Sequence, residues 1–198
     1  HIRDIARLQQ EAIFPVGAEL LGVDIALLRH GADAALLVPV AHQAQAETAS
    51  EAQLRAAYLV NFLKYVEFPV TRTTVNLCLF GRDSIGPYLA SYEGRQVGGR
   101  ELRIRKVSSP EQLADCQELF VPETEEARFG AVLRWVDRQP ILTVSDAETF
   151  TRDGGGIALI RAEGRLQFEV NVEALTRAGL RASPQMLRLA RPMTGSTR

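Results

Sequence analysis

The hydrophobic positions that follow Glu51 recur at steps of three and four residues, which is the period of one face of an α-helix. This stripe consists of Leu54, Ala57, Tyr58, Phe62 and Tyr65, and it is widened by Leu59, Val66 and Phe68. Pro69 lacks the backbone N–H that a helix interior needs. The pattern therefore predicts an amphipathic helix that begins near Glu51 and ends before Pro69.

Strands and helices alternate through the middle of the chain. Short apolar or alternating runs predict strands at residues 75–80, 102–107, 118–121 and 141–144. Pro87 is typical of the first turn of a short helix, which Asp83 or Ser84 could cap. Thr124 is expected to cap a longer helix that runs to Arg138. Strands that alternate with helices indicate a largely parallel sheet with helices on both faces.

The last third of the chain has a different pattern. Residues 154–156 are glycines and predict a flexible loop. Two runs at 157–160 and 166–170, separated by turn residues, predict an antiparallel hairpin, and Asn171 and Ser183 then have the positions of helix caps. The sequence therefore predicts a single α/β domain with a mostly parallel sheet, helices on both faces and an antiparallel C-terminal hairpin at the edge.

The first 46 residues resemble an export signal. Arg29 and His30 precede a short apolar run at 34–41, and Ala44-Gln45-Ala46 then has the small-x-small pattern of a signal-peptidase site. The apolar run is far below the roughly 20 residues that span a bilayer, so it does not predict a membrane-spanning segment. We divide the chain into a leader-like segment at 1–46, a domain at 51–192 and a tail at 193–198. The alternative for the first segment is a poorly defined N-terminal helix.

Charge and histidine content narrow the classes of function. The formal net charge is -1, which gives no electrostatic reason to expect nucleic acid as a partner. The histidines are His1, His30 and His42, so a domain that begins at residue 51 contains no imidazole. Imidazole is the commonest general base near neutral pH and a common metal ligand. We therefore expect no catalytic residue, no metal and no cofactor in this domain.

The glycines at Gly81 and Gly86 follow a predicted strand and have the spacing of a phosphate-binding loop. Pro87 and Tyr88 stand where that motif requires lysine and a hydroxyl residue, so nucleoside triphosphate chemistry is not supported. Ligands of open α/β sheets bind at the carboxyl ends of the parallel strands. This rule predicts a ligand site at Gly81, Arg82, Asp83, Ser145 and Asp146.

Cys78 and Cys116 lie in one predicted strand and just before another, so a sheet could bring them together. In an exported protein the pair should form a disulfide, whereas two buried free thiols are the alternative in the cytosol. A redox-active pair is not predicted, because the sequence contains no C-x-x-C motif.

Several segments match a known family as a set. They are residues 57–69, which end in Phe68-Pro69, together with 77–81, 140–146, the glycine-rich loop into Ile157, 168–171 and 183–190. From Ala57 to Arg191 the chain resembles the YfiR-like family of periplasmic regulatory proteins. It departs from that family in having Phe68-Pro69 where Trp-Pro is often found, and in lacking the second cysteine pair of some members.

The resemblance implies a periplasmic sensor or repressor. Its partner would be an inner-membrane signalling protein, a diguanylate cyclase or a sensor kinase, and binding to a cyclase's periplasmic domain would restrain cyclic-di-GMP synthesis. The Cys78–Cys116 bridge carries over from the family, and no catalytic residue does. Whether the protein forms a homodimer stays open.

Two other hypotheses remain at this stage. One is an exported metal-assisted hydrolase that uses Asp146 and Asp153. The other is a cytosolic receiver-like signalling domain, which normally has a pair of acidic residues at the end of its first strand. Here the first strand ends in Phe80-Gly81, so that pair is missing.

Overall fold

The computed structural model describes residues 40–82 and 85–193, with side chains from residue 51 onward. The predicted leader lies outside the described residues except for 40–46, and the predicted tail lies outside them except for Met193. Asp83 and Ser84, the predicted caps of the short helix, also lie outside the described residues.

The elements follow one another as the sequence pattern predicts, with additional short segments. The helices are α1 (Val40–Tyr65), α2 (Gly86–Leu89), α3 (Phe129–Trp135), α4 (Val172–Arg177) and α5 (Pro184–Leu189). The 3-10 segments are Ala90–Tyr92, Pro110–Leu113 and Glu123–Arg128. The strands are β1 (Val66–Glu67), β2 (Thr74–Phe80), β3 (Gln96–Val97), β4 (Arg100–Val107), β5 (Glu118–Phe120), β6 (Leu142–Ser145), β7 (Ile157–Ala162), β8 (Arg165–Val170) and β9 (Arg181–Ala182).

The main sheet has seven strands in the order β3-β4-β2-β5-β6-β7-β8. The strands from β4 to β7 are parallel, and β3 and β8 pair antiparallel at the two edges. The predicted fold class is therefore confirmed, including the C-terminal hairpin. From β2 the chain moves to β4 on one side and then returns to β5 on the other, so the winding direction reverses between β2 and β5.

A second, two-stranded sheet joins the end of α1 to the C-terminal part of the chain. Val66 of β1 pairs with Ala182 of β9 in antiparallel register. The Ser183 N–H also donates a hydrogen bond of 2.8 Å to the carbonyl of Tyr65. Both strands contain two residues, which is too short for a periodic pattern, so the sequence analysis did not predict them.

Both faces of the main sheet are covered by other elements. Successive side chains of a strand point to opposite faces, so each strand contributes to two separate cores. One face contacts α1, α2, α4 and α5, and its buried core includes Leu59, Phe62, Leu77, Leu79, Val144 and Leu159. The other face contacts α3 and the loop before β7, and its core includes Phe80, Leu119, Phe129, Val132 and Phe150. Burial on both faces explains why β2 reads as a continuous apolar run.

The helix predicted from Thr124 to Arg138 is shorter than expected. The segment begins as 3-10 helix at Glu123, and α3 starts only at Phe129. Pro122 occupies the cap position, so the prediction that Thr124 caps this helix was wrong. Glu125 has non-helical angles of φ -103° and ψ 15°, which interrupt the turn. The caps predicted at the C-terminal end are confirmed, and they are Asn171, which accepts from the Ala174 N–H at 3.0 Å, and Ser183, which accepts from the Met186 N–H at 3.2 Å.

The glycine loop at 154–156 packs closely against the sheet, in contrast to the flexible loop that the sequence predicted. A Cβ atom at Gly155 would overlap the ring of Phe150. A Cβ atom at Gly156 would lie 2.9 Å from the carbonyl oxygen of Thr143, whose hydroxyl accepts a 2.9 Å hydrogen bond from the Gly156 N–H. These glycines therefore permit close approach of the loop to its neighbours.

A buried carboxyl group lies in the centre of the sheet. Glu118 of β5 is fully buried and stands in register between Leu77 of β2 and Leu142 of β6. Among the described residues, neither of its carboxyl oxygens has a hydrogen-bond partner. Burial raises the pKa of Glu118 well above its ordinary value of 4.5, because desolvation penalises the charged form. The folded protein therefore favours the protonated acid at this position.

We expect Glu118 to make the protein less stable as pH rises. In the unfolded chain this group ionises near 4.5, so between that pH and the higher folded-state pKa the folded protein binds one more proton. The free energy of unfolding should fall there by about 1.4 kcal/mol per pH unit from this group. Glu118→Gln removes the titration, so its stability relative to the parent should increase with pH. Urea unfolding from pH 4 to pH 8 measures the difference.

The control for this prediction is Glu148→Gln, which removes a carboxylate from an exposed position. This variant should keep the pH dependence of the parent protein. An identical pH dependence in the parent and Glu118→Gln would contradict the assignment of the slope to the buried carboxyl.

Candidate functional site at the carboxyl ends of the strands

The reversal of winding direction places the ends of β2 and β5 side by side. The side chain of Glu125 lies so close to Gly81 that a Cβ atom at Gly81 would overlap its carboxylate. The Arg82 N–H donates to Glu125 Oε1 at 3.5 Å, and the Thr124 hydroxyl donates to the Arg82 carbonyl at 3.4 Å. The crevice that the strand order creates is therefore filled by the chain's own carboxylate.

Arg128 holds this carboxylate from the other side. Its Nη1 atom lies 3.3 Å from Glu125 Oε2, and its guanidinium stands 4.4 Å from the centre of the Phe80 ring. A guanidinium over an aromatic face is attracted to the ring electrons. Glu125 thus accepts from a backbone N–H and a guanidinium at once, which makes the crevice a site with donors suited to an anion.

Asp146 connects three elements at the end of β6. Its Oδ1 atom accepts a 2.7 Å hydrogen bond from the Glu123 N–H, and its Oδ2 atom accepts a 3.0 Å bond from Arg55 of α1. Ser145 is fully buried, and its hydroxyl accepts from the Ala147 N–H at 3.1 Å. Ser145 therefore shapes the turn after β6, while Asp146 fixes α1 and the segment after β5.

The contact between Arg55 and Asp146 belongs to a longer chain of charges. Arg55 Nη2 lies 2.7 Å from Glu51 Oε1, and Glu51 Oε2 lies 2.8 Å from Arg161 of β7. The four-residue spacing of Glu51 and Arg55 on a helix was readable in the sequence. The contacts of Glu51 with Arg161 and of Arg55 with Asp146 could not be read from the sequence, because each joins two residues far apart in the chain. No local pattern in the sequence therefore pointed to Arg55, Glu51 or Glu125 as residues of this site.

Three of the five predicted ligand residues contact the segment at 123–125. Gly81 and Arg82 contact the segment at 124–125, and Asp146 contacts the same segment at Glu123. Ser145 is occupied by its own turn, and Asp83 lies outside the described residues.

The structure also shows where the acidic residues of the hydrolase and receiver-domain hypotheses lie. Asp153, the second acid of the hydrolase hypothesis, lines a cleft beside the first half of β6, whereas Asp146 follows the end of that strand. Over residues 51–82 and 85–193, whose side chains the structure describes, no three metal-ligating side chains form a cluster. The first parallel strand, β2, ends in Phe80, so the acidic pair of a receiver domain is replaced there by Phe80-Gly81.

A disulfide connects the two strands that form the crevice. Cys78 of β2 and Cys116, which lies just before β5, are bonded across 38 positions of sequence. Both residues are buried in the core on the α3 side of the sheet. Closing a loop of this length stabilises the folded state by about 4 kcal/mol on the chain-entropy estimate.

A family model described as YfiR/HmsC-like matches residues 52–191, a range that includes the whole main sheet. The chain belongs to the YfiR/HmsC-like family. Proteins of this family are periplasmic regulators of cyclic-di-GMP signalling and act by regulation rather than by catalysis. They bind partners in the inner membrane, and the disulfide of this YfiR/HmsC-like chain is consistent with export.

Within the part of the YfiR/HmsC-like chain that the structure describes, no helix has the length and apolar character needed to cross a membrane.

Replacing both cysteines should reduce stability without changing the fold. We expect Cys78→Ala/Cys116→Ala to lower the free energy of unfolding by about 4 kcal/mol, because the unfolded chain regains the entropy of an open loop. Urea unfolding of the oxidised parent and the double variant measures the loss. Adding a reductant should destabilise the parent protein and leave the double variant unchanged. If the urea midpoint of the parent stayed the same after its disulfide had been shown to be reduced, the prediction would be contradicted.

The contact between Arg55 and Asp146 should stabilise the folded state by more free energy than an exposed ion pair does. Their side chains are 23% and 12% exposed, compared with 50% and 60% for the pair Arg72 and Asp115. A double-mutant cycle with Arg55→Gln and Asp146→Asn should give a coupling free energy above about 1 kcal/mol. The matched cycle with Arg72→Gln and Asp115→Asn should give less than about 0.5 kcal/mol. Equal coupling energies would show that Asp146 does not hold α1.

Proposed function

We propose that this protein is a periplasmic repressor that binds the periplasmic part of an inner-membrane diguanylate cyclase and restrains cyclic-di-GMP synthesis. The match of residues 52–191 to the YfiR/HmsC-like family is the observation that supports this proposal most. The match covers all strands of the main sheet, so the likeness extends to the whole domain.

The disulfide supports the location that this proposal requires. Disulfides persist in oxidising compartments such as the bacterial periplasm and are rare in the cytosol. Cys78 and Cys116 are bonded and buried, and the bond joins neighbouring strands of the sheet core. A protein that folds with this bond is suited to act outside the cytoplasm.

The proposed mechanism is a change in the populations of two cyclase states. A bound protein can shift such an equilibrium only by its difference in affinity for the two states. The repressor would bind the inactive state of the periplasmic domain more tightly, and release would allow cyclic-di-GMP synthesis inside the cell. This mechanism requires a binding surface and no chemical step.

The ligand site at Gly81, Arg82, Asp83, Ser145 and Asp146 remains part of the proposal. An anionic ligand would replace the Glu125 carboxylate and accept from the Arg82 N–H and the Arg128 guanidinium. Glu125 and Thr124 lie on the same segment as Glu123, whose N–H is bound by Asp146. Ligand binding would therefore act on the contacts that position α1.

The proposal predicts direct inhibition of a cyclase. The oxidised full chain should bind a detergent-solubilised diguanylate cyclase with a periplasmic domain and lower its synthesis of cyclic-di-GMP in reconstituted vesicles. Size-exclusion chromatography and quantification of cyclic-di-GMP measure the two effects. A cyclase without its periplasmic domain is the control and should keep full activity. The test uses diguanylate cyclases with periplasmic domains from the organism that produces this protein. If an excess of the protein left cyclic-di-GMP synthesis by all of them unchanged, the proposal would be refuted.

A further inference from the structure

A second concave site lies away from the strand ends described above. A cleft of about 520 Å³ opens between the end of α3 and α4, beside the first half of β6. We refer to it as the α3–α4 cleft. Its apolar wall is formed by the partly exposed side chains of Leu133, Ala174 and Ala178, together with the nearly buried Val136 and Leu180. Its size is in the range of small-molecule sites, which bury an apolar body and orient it with a few polar groups.

Arginines surround this apolar wall. Arg134 and Arg138 come from the end of α3, and Arg177 comes from the last turn of α4. Among the described residues, no carboxylate lies within ion-pair distance of Arg134 or Arg177. Their guanidinium groups are therefore available to an external anion.

The acids of the cleft do not cancel this charge. Asp137 lies 3.9 Å from Arg138, and both side chains are exposed, at 61% and 85%. Asp153 stands on the loop that precedes β7. Three arginines and two aspartates line the cleft, so its formal charge is positive.

The backbone at the mouth of the cleft is unusual. Arg138, three residues beyond the end of α3, has φ +58°, a left-handed conformation that glycine or asparagine adopts most readily. The other non-glycine residue of this kind in the described part of the chain, Glu163, lies in the tight turn of the β7–β8 hairpin. A long cationic side chain at Arg138 therefore stands where backbone conformation alone would favour glycine. Strained residues of this kind cluster at binding sites.

We propose that the α3–α4 cleft binds a small amphiphilic anion, with an alkyl or similar apolar body against Leu133, Ala174 and Ala178 and an anionic head between Arg134 and Arg177. Guanidinium groups bind carboxylates and phosphates through paired, charge-assisted hydrogen bonds. A carboxylate and a phosphate monoester share this chemistry. The inference does not depend on the proposed regulation of a cyclase.

Binding of defined probes tests this site. Octanoate and octyl phosphate present an alkyl body with the two kinds of head, and octanol has the same body without charge. Isothermal titration of the oxidised full chain should detect binding of at least one anion and none of octanol at equal concentration. Binding of octanoate alone identifies a carboxylate site, and binding of octyl phosphate alone identifies a phosphate site.

Variants locate the bound anion. Arg134→Gln/Arg177→Gln should weaken binding at least about tenfold, because two charge-assisted contacts are lost. Arg165→Gln removes an exposed arginine from the hairpin turn and should leave affinity unchanged. Circular dichroism should show the same fold in each variant. Absence of binding by both anions, equal binding of octanol, or equal affinity of the double variant and the parent would overturn the proposal.

Discussion

The position of β2 determines most of this structure. It lies inside the parallel part of the sheet, with β4 on one side and β5 on the other. Leu77 and Leu79 are buried under α1, while Cys78 and Phe80 are buried under the opposite layer. Because β4 and β5 flank β2 on opposite sides, the connection that follows β2 and the connection that follows β4 run in opposite directions across the sheet. The crevice at Gly81 follows directly from that constraint.

The helix caps and the hairpin that the sequence predicted correctly are local features. The caps at Asn171 and Ser183 and the β7–β8 hairpin depend on residues a few positions apart, so their patterns are readable without the fold. The contacts at the candidate site join residues 43 positions apart at Arg82 and Glu125, and 91 apart at Arg55 and Asp146. No periodicity encodes such pairs. The strand-end rule indicated where the crevice would lie, but it did not show that Glu125 fills it.

The candidate site uses its charged groups within the molecule. Asp146 binds a backbone N–H and Arg55, and Glu125 binds a backbone N–H and Arg128. These hydrogen bonds and ion pairs hold α1 and the segment at 123–128 in place. A ligand that competed for the same donors would change the positions of these two elements. This arrangement suits a protein that responds to binding by a change in shape. It agrees with membership in a family of regulators.

The pairing of β1 with β9 determines when the domain can finish folding. Residues 65–67, at the end of α1, are hydrogen-bonded to residues 181–183, more than 100 positions later in the sequence. Arg191 adds a further contact, donating its N–H to Phe168 at 2.8 Å. A chain that emerges N-terminus first from a ribosome or a translocation channel cannot make these contacts until residues 181–191 have emerged as well. The native domain therefore closes only after all nine of its described strands are free.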